Sequence, residues 1–386
     1  MDFDFSEEQL MLQDSVRRFC EKELPKDVVR KSDENEELPL RIWPKMAELG
    51  WLGIALPEEY GGTGGSIIEQ LIIMEELSRR SPALAICFMT TNSFGARTIF
   101  NNGSESQKKA FLPKISRGEV KFCLALTEPG GGTDVLGALK TKAETQGSEF
   151  VINGQKTFIS DASVADYMIL VARTDENPAK KSKGFSLILV DMNRDGVEIQ
   201  KLNKLGIRPS VVSEIFLTDV HVPLDNLIGT RQEGWRHLLD TLNNERILVA
   251  GYALGIGQSA FDDAVSYAKE RDAFGRPISQ FQAIQHYLSD MYVRLELARL
   301  ITYKAAWLQS LAKPCGVEST MAKLVASEAG LEIATNGMRI LAGYGYMMEY
   351  DMQRYYRDAM QAVVTPITNE MSKNYIGQSL GLGRSY

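Results

Sequence analysis

The chain of 386 residues has only four cysteines, and no two of them form a CxxC pair. It therefore lacks a disulfide framework and a thiolate metal site. Cys20, Cys87, Cys123 and Cys315 read instead as small buried thiols in a reducing compartment, which points to the cytoplasm. Histidine is scarcer still. His221, His237 and His286 are too scattered for a His-rich metal centre. No apolar run approaches the roughly 18–20 residues of a membrane span. The opening MDFDFSEEQ is acidic where a secretory or transit leader is basic, so no leader is expected. There is no basic block, and 43 Lys+Arg against 50 Asp+Glu leave a formal net charge of −7. That balance argues against a nucleic-acid binder and against docking on anionic lipid. No GxGxxG follows a strand, which excludes a Rossmann dinucleotide site. Repeats and low-complexity tracts are absent. At 44% hydrophobic and 24% charged residues, the chain has the make-up of a soluble globular protein. Its length allows roughly two to three domains.

Three regions follow from the change in hydrophobic period. Residues 1–120 read as helical. Ser6 and Gln9 form a capping box, and Leu12, Val16, Phe19 and Cys20 make one buried stripe. Residues 33–37 (DENEE) read as a solvated turn, and 57–65 (PEEYGGTGG) as a loop. Helical pattern resumes at Ile67. Residues 121–232 turn β-rich, with short runs at 167–173, 185–190 and 214–222. Asn153-Gly154 reads as a hairpin, and Asn177-Pro178 and Asp195-Gly196 as turns. Strands at this spacing predict a small sandwich or barrel. Residues 233–386 return to helix, with long periodic stretches near 236–271, 281–312 and 317–342. The short connections between them predict an antiparallel bundle.

The chemistry begins at 125–134 (ALTEPGGGTD). Its glycines let backbone approach a planar or phosphorylated ligand, and Thr127 and Thr133 offer hydroxyls. Alone, such a cluster marks a turn. It does not stand alone. It resembles the flavin segment of the acyl-CoA dehydrogenases, and further family-like segments stand before and after it in the family's order. They are 57–62 (PEEYGG), 153–160 (NGQKTFIS), 204–208 (KLGIR), 219–223 (DVHVP), 271–275 (RDAFG) and 341–346 (LAGYGY). The resemblance covers essentially the whole chain. It implies an α+β multi-domain fold with an N-terminal helical domain, a middle β-barrel or sandwich, and a C-terminal four-helix up-and-down bundle.

The resemblance implies FAD, and it places Leu124, Leu126, Thr127, Gly132 and Thr133 on the cofactor. Thr133 is also assigned to the acyl-CoA. Phe158, Ile159 and Ser160 stand where the family lays an aromatic residue, most often Trp, on the flavin ring. Phe keeps the stacking and loses the indole donor. Arg271, Phe274, Phe281 and Gln282 match a segment that reaches the flavin of a neighbouring subunit. Arg339 stands where Gln is common, beside Gly343, and Thr368 and Asn369 fall in the family's C-terminal turn.

Family chemistry removes an α-proton from an acyl thioester while a β-hydride moves to the flavin, so a carboxylate must face the flavin across the substrate. Most members place a Glu in the C-terminal turn. Here 363–371 reads VVTPITNEM, and Pro366 occupies that position. Proline also removes the backbone N–H that the family uses on the thioester carbonyl. A minority of members resembling isovaleryl-CoA and long-chain enzymes carry the Glu on a bundle helix, directly before an Arg. Residues 242–250 read LNNERILVA. By this match Glu245 is the base, and Asn243 and Arg246 are substrate contacts. The implied activity is an FAD-dependent acyl-CoA dehydrogenase that passes electrons to electron-transfer flavoprotein, as a homotetramer or homodimer. Two alternatives stand beside it. One is an enoyl-CoA reductase resembling crotonobetainyl-CoA reductase. The other is a non-redox lyase or acyl-CoA-binding protein on the same fold.

Overall fold

The computed structural model describes residues 4–175 and 181–383, so the expected Asn177-Pro178 turn lies outside the described residues. The chain opens with α1 (Glu7–Glu23), α2 (Lys26–Asn35), α3 (Trp43–Glu48), α4 (Ile67–Arg80) and α5 (Pro82–Met89). A π-helical segment, Thr90–Arg97, then leads into α6 (Thr98–Asn102) and α7 (Glu105–Ser116). The capping box forms as expected. The Ser6 hydroxyl accepts from the Gln9 N–H at 3.3 Å, and the Gln9 side chain accepts from the Ser6 N–H at 3.1 Å.

Residues 33–37 match the expected solvated turn only in part: Glu36 turns the chain in the left-handed region and Glu34, Asn35 and Glu37 are exposed. Helix α2 continues to Asn35, and Asp33 is buried against Arg357 at 2.6 Å. A run of acidic letters looks solvated only while its long-range cation is unknown.

The middle region holds β1 (Phe122–Ala125), α8 (Val135–Ala138), β2 (Lys142–Gln146), β3 (Glu149–Ser160), β4 (Tyr167–Arg173), β5 (Phe185–Asp191), β6 (Val197–Leu202), β7 (Val212–Pro223) and β8 (Leu227–Ile228). They form one sheet in the order β6-β7-β3-β2-β4-β5-β8, with β1 parallel to β4. Both faces of β4 are buried. Met168, Leu170 and Ala172 join a core built from strands and their connections, and the strand order is an open path with no pairing between β6 and β8 among the described residues. Ile169 and Val171 face a second core beneath α7. Asn153-Gly154 is not a hairpin. The chain reverses before Glu149, and β3 runs straight through to Ser160 with a bulge at this point. The Asn153 side chain instead bonds Asp219 across the β3–β7 pair at 2.9 Å.

The last region holds α9 (Gly234–Glu270), a small hairpin of β9 (Asp272–Ala273) and β10 (Arg276–Pro277), α10 (Gln282–Ser310), α11 (Gly316–Leu341), α12 (Gly343–Tyr346), α13 (Met352–Val364) and α14 (Asn369–Ser379). Helices α9, α10, α11 and α13 make the four-helix bundle. The first and last regions share one hydrophobic core that runs from Val16 and Cys20 through Leu71 and Met74 to Ile333 and Ala362. Close backbone approach holds it together. A Cβ at Gly255 of α9 would sit 2.3 Å from the Glu75 carbonyl oxygen of α4, and one at Gly330 of α11 would sit 2.9 Å from the Ala253 carbonyl oxygen. Gly255→Val should therefore lower the melting temperature, because overpacking against rigid neighbours costs about 1–3 kcal/mol. A thermal scan with an unchanged midpoint would contradict this helix spacing.

Candidate active site

Glu245 lies about three turns into α9. Its side chain is half-buried and makes no hydrogen bond or ion pair among the described residues. Burial pushes its carboxyl up to about 7, with Arg246 pulling the other way. Adjacent helical residues point about 100° apart, so the two side chains do not meet. Arg246 Nη1 instead donates to Asn243 Oδ1 at 3.1 Å, and its guanidinium lies 5.6 Å from the ring centroid of Tyr375 on α14. Asn243 Oδ1 also accepts from Ser319 Oγ at 3.2 Å. Asn244 is buried. It donates to Ser93 Oγ at 2.6 Å and accepts from Gln309 Nε2 at 2.8 Å. These bonds fix the Glu245 turn of α9 against the π-helical segment, a widened backbone of the kind found at functional sites. Tyr252 falls seven residues after Glu245, on the same helix face, and donates to Gln361 Oε1 of α13 at 3.3 Å.

The glycine-rich loop after β1 is closed at its base by a buried ion pair. Lys156 Nζ lies 2.8 Å from Glu128 Oε1 and also donates to the carbonyls of Leu126 at 3.1 Å and Val171 at 2.7 Å. The Glu128 carboxylate accepts the N–H groups of Lys140 at 2.6 Å and Thr141 at 2.9 Å. Both flanks of the loop are thus tied to one carboxylate. Burial pulls the Lys156 ammonium down to about 8 against the pull of Glu128. Burial acts to raise the Glu128 carboxyl, yet Lys156 and the N–H donors hold it below the usual range. Sequence reading missed both residues. Lys156 shares the inward strand parity of Phe150 and Ile152, and a lysine on an apolar face was the available signal.

Around this base the expected cofactor residues gather. Leu124 and Leu126 are half-buried against the core beneath α7. The Thr127 carbonyl accepts the Thr157 N–H at 2.9 Å, and Gly132 and Thr133 are exposed. Phe158 stands at a register shift between Lys156 and Ile159 with φ of 58°, and 68% of its surface is exposed. A bulky residue in the left-handed region costs about 1–3 kcal/mol and marks a functional constraint. Ile159 points into the sheet core, which leaves only its main chain available to a ligand, and Ser160 is half-buried at the strand end.

The remaining expected residues lie on the bundle. Arg271 follows the end of α9, exposed, with its guanidinium 5.6 Å from the Tyr344 ring. Phe274 tips the β9–β10 hairpin with φ of 52° and is 95% exposed, edge-on to Phe281 at 6.1 Å. Gln282 and Gly343 open α10 and α12 and are exposed. Arg339 and Asn369 line a recess of about 560 Å³ between α10, α11 and the α13–α14 turn. Arg339 Nη1 donates to Asn336 Oδ1 at 3.3 Å. Thr368 caps α14 by accepting the Met371 N–H at 3.2 Å. Asn369 is buried, and its Oδ1 is already engaged by Lys323 and Ser327. No hydrogen bond or ring contact joins the bundle group to Phe158 among the described residues.

Comparison with known proteins matches all three regions. Family models described as the acyl-CoA dehydrogenase N-terminal, middle and C-terminal domains match residues 6–119, 123–220 and 232–381. The chain belongs to the acyl-CoA dehydrogenase family. It is 37% identical over 374 residues to the short-chain specific acyl-CoA dehydrogenase of Clostridium acetobutylicum, which covers 97% of this chain and 98% of that one. It is 37% identical over 377 residues to the caffeyl-CoA reductase-Etf complex subunit CarC of Acetobacterium woodii, covering 97% and 99%. The structure of butyryl-CoA dehydrogenase from Megasphaera elsdenii matches with a TM-score of 0.95 at 34% identity, covering 98% and 100%.

This acyl-CoA dehydrogenase is an FAD-dependent oxidoreductase acting on CH–CH bonds. Its residues fit the cofactor. Phe158 offers a bare aromatic face beside a loop in which Gly132 leaves open space, since a Cβ there would meet nothing nearer than the Thr127 methyl at 3.9 Å. Lys156→Met leaves Glu128 as an unpaired buried charge, which should cost about 3–5 kcal/mol and loosen FAD. The double variant with Glu128→Gln should recover part of that loss. Melting temperature and FAD stoichiometry read both effects, and a single variant as stable as wild type would refute the clamp.

Proposed function

We propose that this chain converts a saturated acyl-CoA into the 2,3-enoyl thioester, with Glu245 accepting the α-proton. The observation that carries this reading is the Glu245 carboxyl itself: half-buried, free of hydrogen bonds among the described residues, and pushed up to about 7. A group with that pKa accepts a proton at physiological pH and is not committed to a structural partner. FAD, when bound, supplies the acceptor for the β-hydride. The middle domain (121–232) holds it through Leu124, Leu126, Thr127, Gly132, Thr133, Phe158, Ile159 and Ser160, and Thr133 also contacts the acyl-CoA. The bundle (233–386) supplies Glu245 and two substrate contacts, Asn243 and Arg246. Helices of residues 1–120 buttress that bundle.

Arg271, Phe274, Phe281, Gln282, Arg339, Gly343, Thr368 and Asn369 complete the cofactor site, those on the exposed end of the bundle across to a neighbouring copy in a homotetramer or homodimer. The near-complete exposure of Phe274 supports that role. Electrons leave to electron-transfer flavoprotein in the cytoplasm, an acceptor supported by the Etf complex named for the Acetobacterium relative. No helix among the described residues is long and apolar enough to cross a membrane.

The reverse direction is the second reading, because that same relative is named a reductase. Glu245 would then return a proton to the α-carbon.

A panel of acyl-CoAs with a dye acceptor, read through the flavin absorbance, tests both directions. The purified protein should be yellow and release FAD on denaturation, and a colourless protein that takes up no FAD would defeat the assignment. Glu245→Gln should keep FAD and lose flavin reduction by roughly 10²–10⁴-fold. Full activity in that variant would reassign the base. In wild type, proton abstraction needs the carboxylate, so the rate should fall with acid. Its ionised fraction rises from about one-tenth at pH 6 to about nine-tenths at pH 8, and a flat profile across that range would count against Glu245.

A further inference from the structure

Lys323 lies on α11 with its side chain fully buried, and the chemistry described above makes no use of it. An ammonium has three donors. Lys323 Nζ meets the Val363 carbonyl at 3.2 Å, the Ile367 carbonyl at 2.6 Å and Asn369 Oδ1 at 2.7 Å. No carboxylate among the described residues pairs with it. Burial pulls its pKa down to about 8, Glu370 and Glu328 oppose this, and the charge of Arg246 adds to it. A buried charge without a counter-ion is tolerated only while fixed dipoles solvate it. Its stability is therefore tied to the shape of the segment that supplies those oxygens.

The three acceptors bracket the turn from α13 to α14. Val363 presents one of the last carbonyls of α13, which have no partner within the helix, so Lys323 caps α13 and anchors the start of α14 in one stroke. Helix α14, which this turn leads into, meets α9 next to Glu245, where the Arg246 guanidinium lies 5.6 Å from the Tyr375 ring, and α13 meets α9 further along, where Tyr252 donates to Gln361. Pro366 has no N–H to give. Ile367 follows it. Its carbonyl is held by Lys323, and its N–H donates no hydrogen bond among the described residues.

We infer that Lys323 is a positioning residue: by holding the carbonyls of Val363 and Ile367 it fixes the α13–α14 turn so that the Ile367 N–H takes the place of the donor that Pro366 lacks. The inference rests on the reading of Glu245 as base. Its test separates the two. Hydrogen exchange of the holoenzyme needs no substrate. In Lys323→Met the amides of residues 365–370 should exchange about tenfold faster or more, while those of α9 and α10 keep their protection.

Flavin reduction is then followed with the acyl-CoA that wild type oxidises fastest. Lys323→Met should keep its FAD and lose rate by about ten- to a hundredfold, with KM changed far less. Lys323→Arg should restore part of the rate. Ile367→Pro removes the N–H and should lose about 10²–10³ more rate than Ile367→Ala, which keeps it.

Unchanged exchange in Lys323→Met overturns the clamp whatever the activity does. Faster exchange with an unchanged rate overturns the role in catalysis, as does Ile367→Pro behaving like Ile367→Ala. If Lys323→Met does not fold, Lys323→Gln, which keeps a donor but not the charge, carries the same comparison. If no acyl-CoA reduces the wild-type flavin, the proposed dehydrogenation fails, while the exchange data still decide whether Lys323 holds the turn.

Discussion

Helix α9 has to pass close enough to α4 and α11 for backbone to touch backbone, and the catalytic architecture hangs on that approach. The helix carries Glu245 and Arg246 in its first half and delivers Arg271 at its end. Small residues on each partner set the spacing, with Gly255 against the Glu75 carbonyl and Gly330 against the Ala253 carbonyl. Close-packed interiors transmit small displacements rather than absorbing them. A shift of α9 would therefore move Glu245 and Arg271 together. Asn244, wedged between Ser93 and Gln309, pins the helix at the turn where position matters most.

The site uses buried cations in an uncommon way. Lys156 and Lys323 each sit in the interior with at most one carboxylate and spend most of their donors on main-chain carbonyls. Each fixes an irregular segment: the glycine-rich loop in one case, the α13–α14 turn in the other. Binding residues on loops rely on the rigid scaffold that positions those loops. A buried ammonium supplies several strong, directed bonds from a single rigid element, and its desolvation makes any departure from that geometry expensive.

Much of this was legible in the sequence. The long helices near 236–271, 281–312 and 317–342 form as α9, α10 and α11 because their apolar period is sustained and glycine or proline marks each break. The strands at 167–173 and 185–191 are equally plain. What failed was local reading of residues whose partners are remote. The acidic run at 33–37 hid Asp33, whose Arg357 lies more than three hundred positions away. Asn153-Gly154 carried a turn signal, but pairing with β7 on one side and β2 on the other overrode it into a bulge. The π-helical segment left no periodic trace, since its polar residues Thr90, Thr91 and Ser93 are buried for contacts with other elements. Lys323 was invisible for the same reason. One lysine in a helix reads as surface until its three acceptors are known.

The shared core also bears on how the chain is made. Its members begin at Val16 and end at Ala362, with the whole sheet between them in sequence. On a ribosome the sheet strands emerge together and can pair at once, because their contacts are comparatively near neighbours in the chain. The N-terminal helices emerge first and yet must wait for α9, α11 and α13 before their apolar faces are covered. For most of synthesis Leu71, Met74 and Leu77 therefore lack their final partners. The earliest part of the protein to be born is among the last to be finished, and chaperones would meet it there.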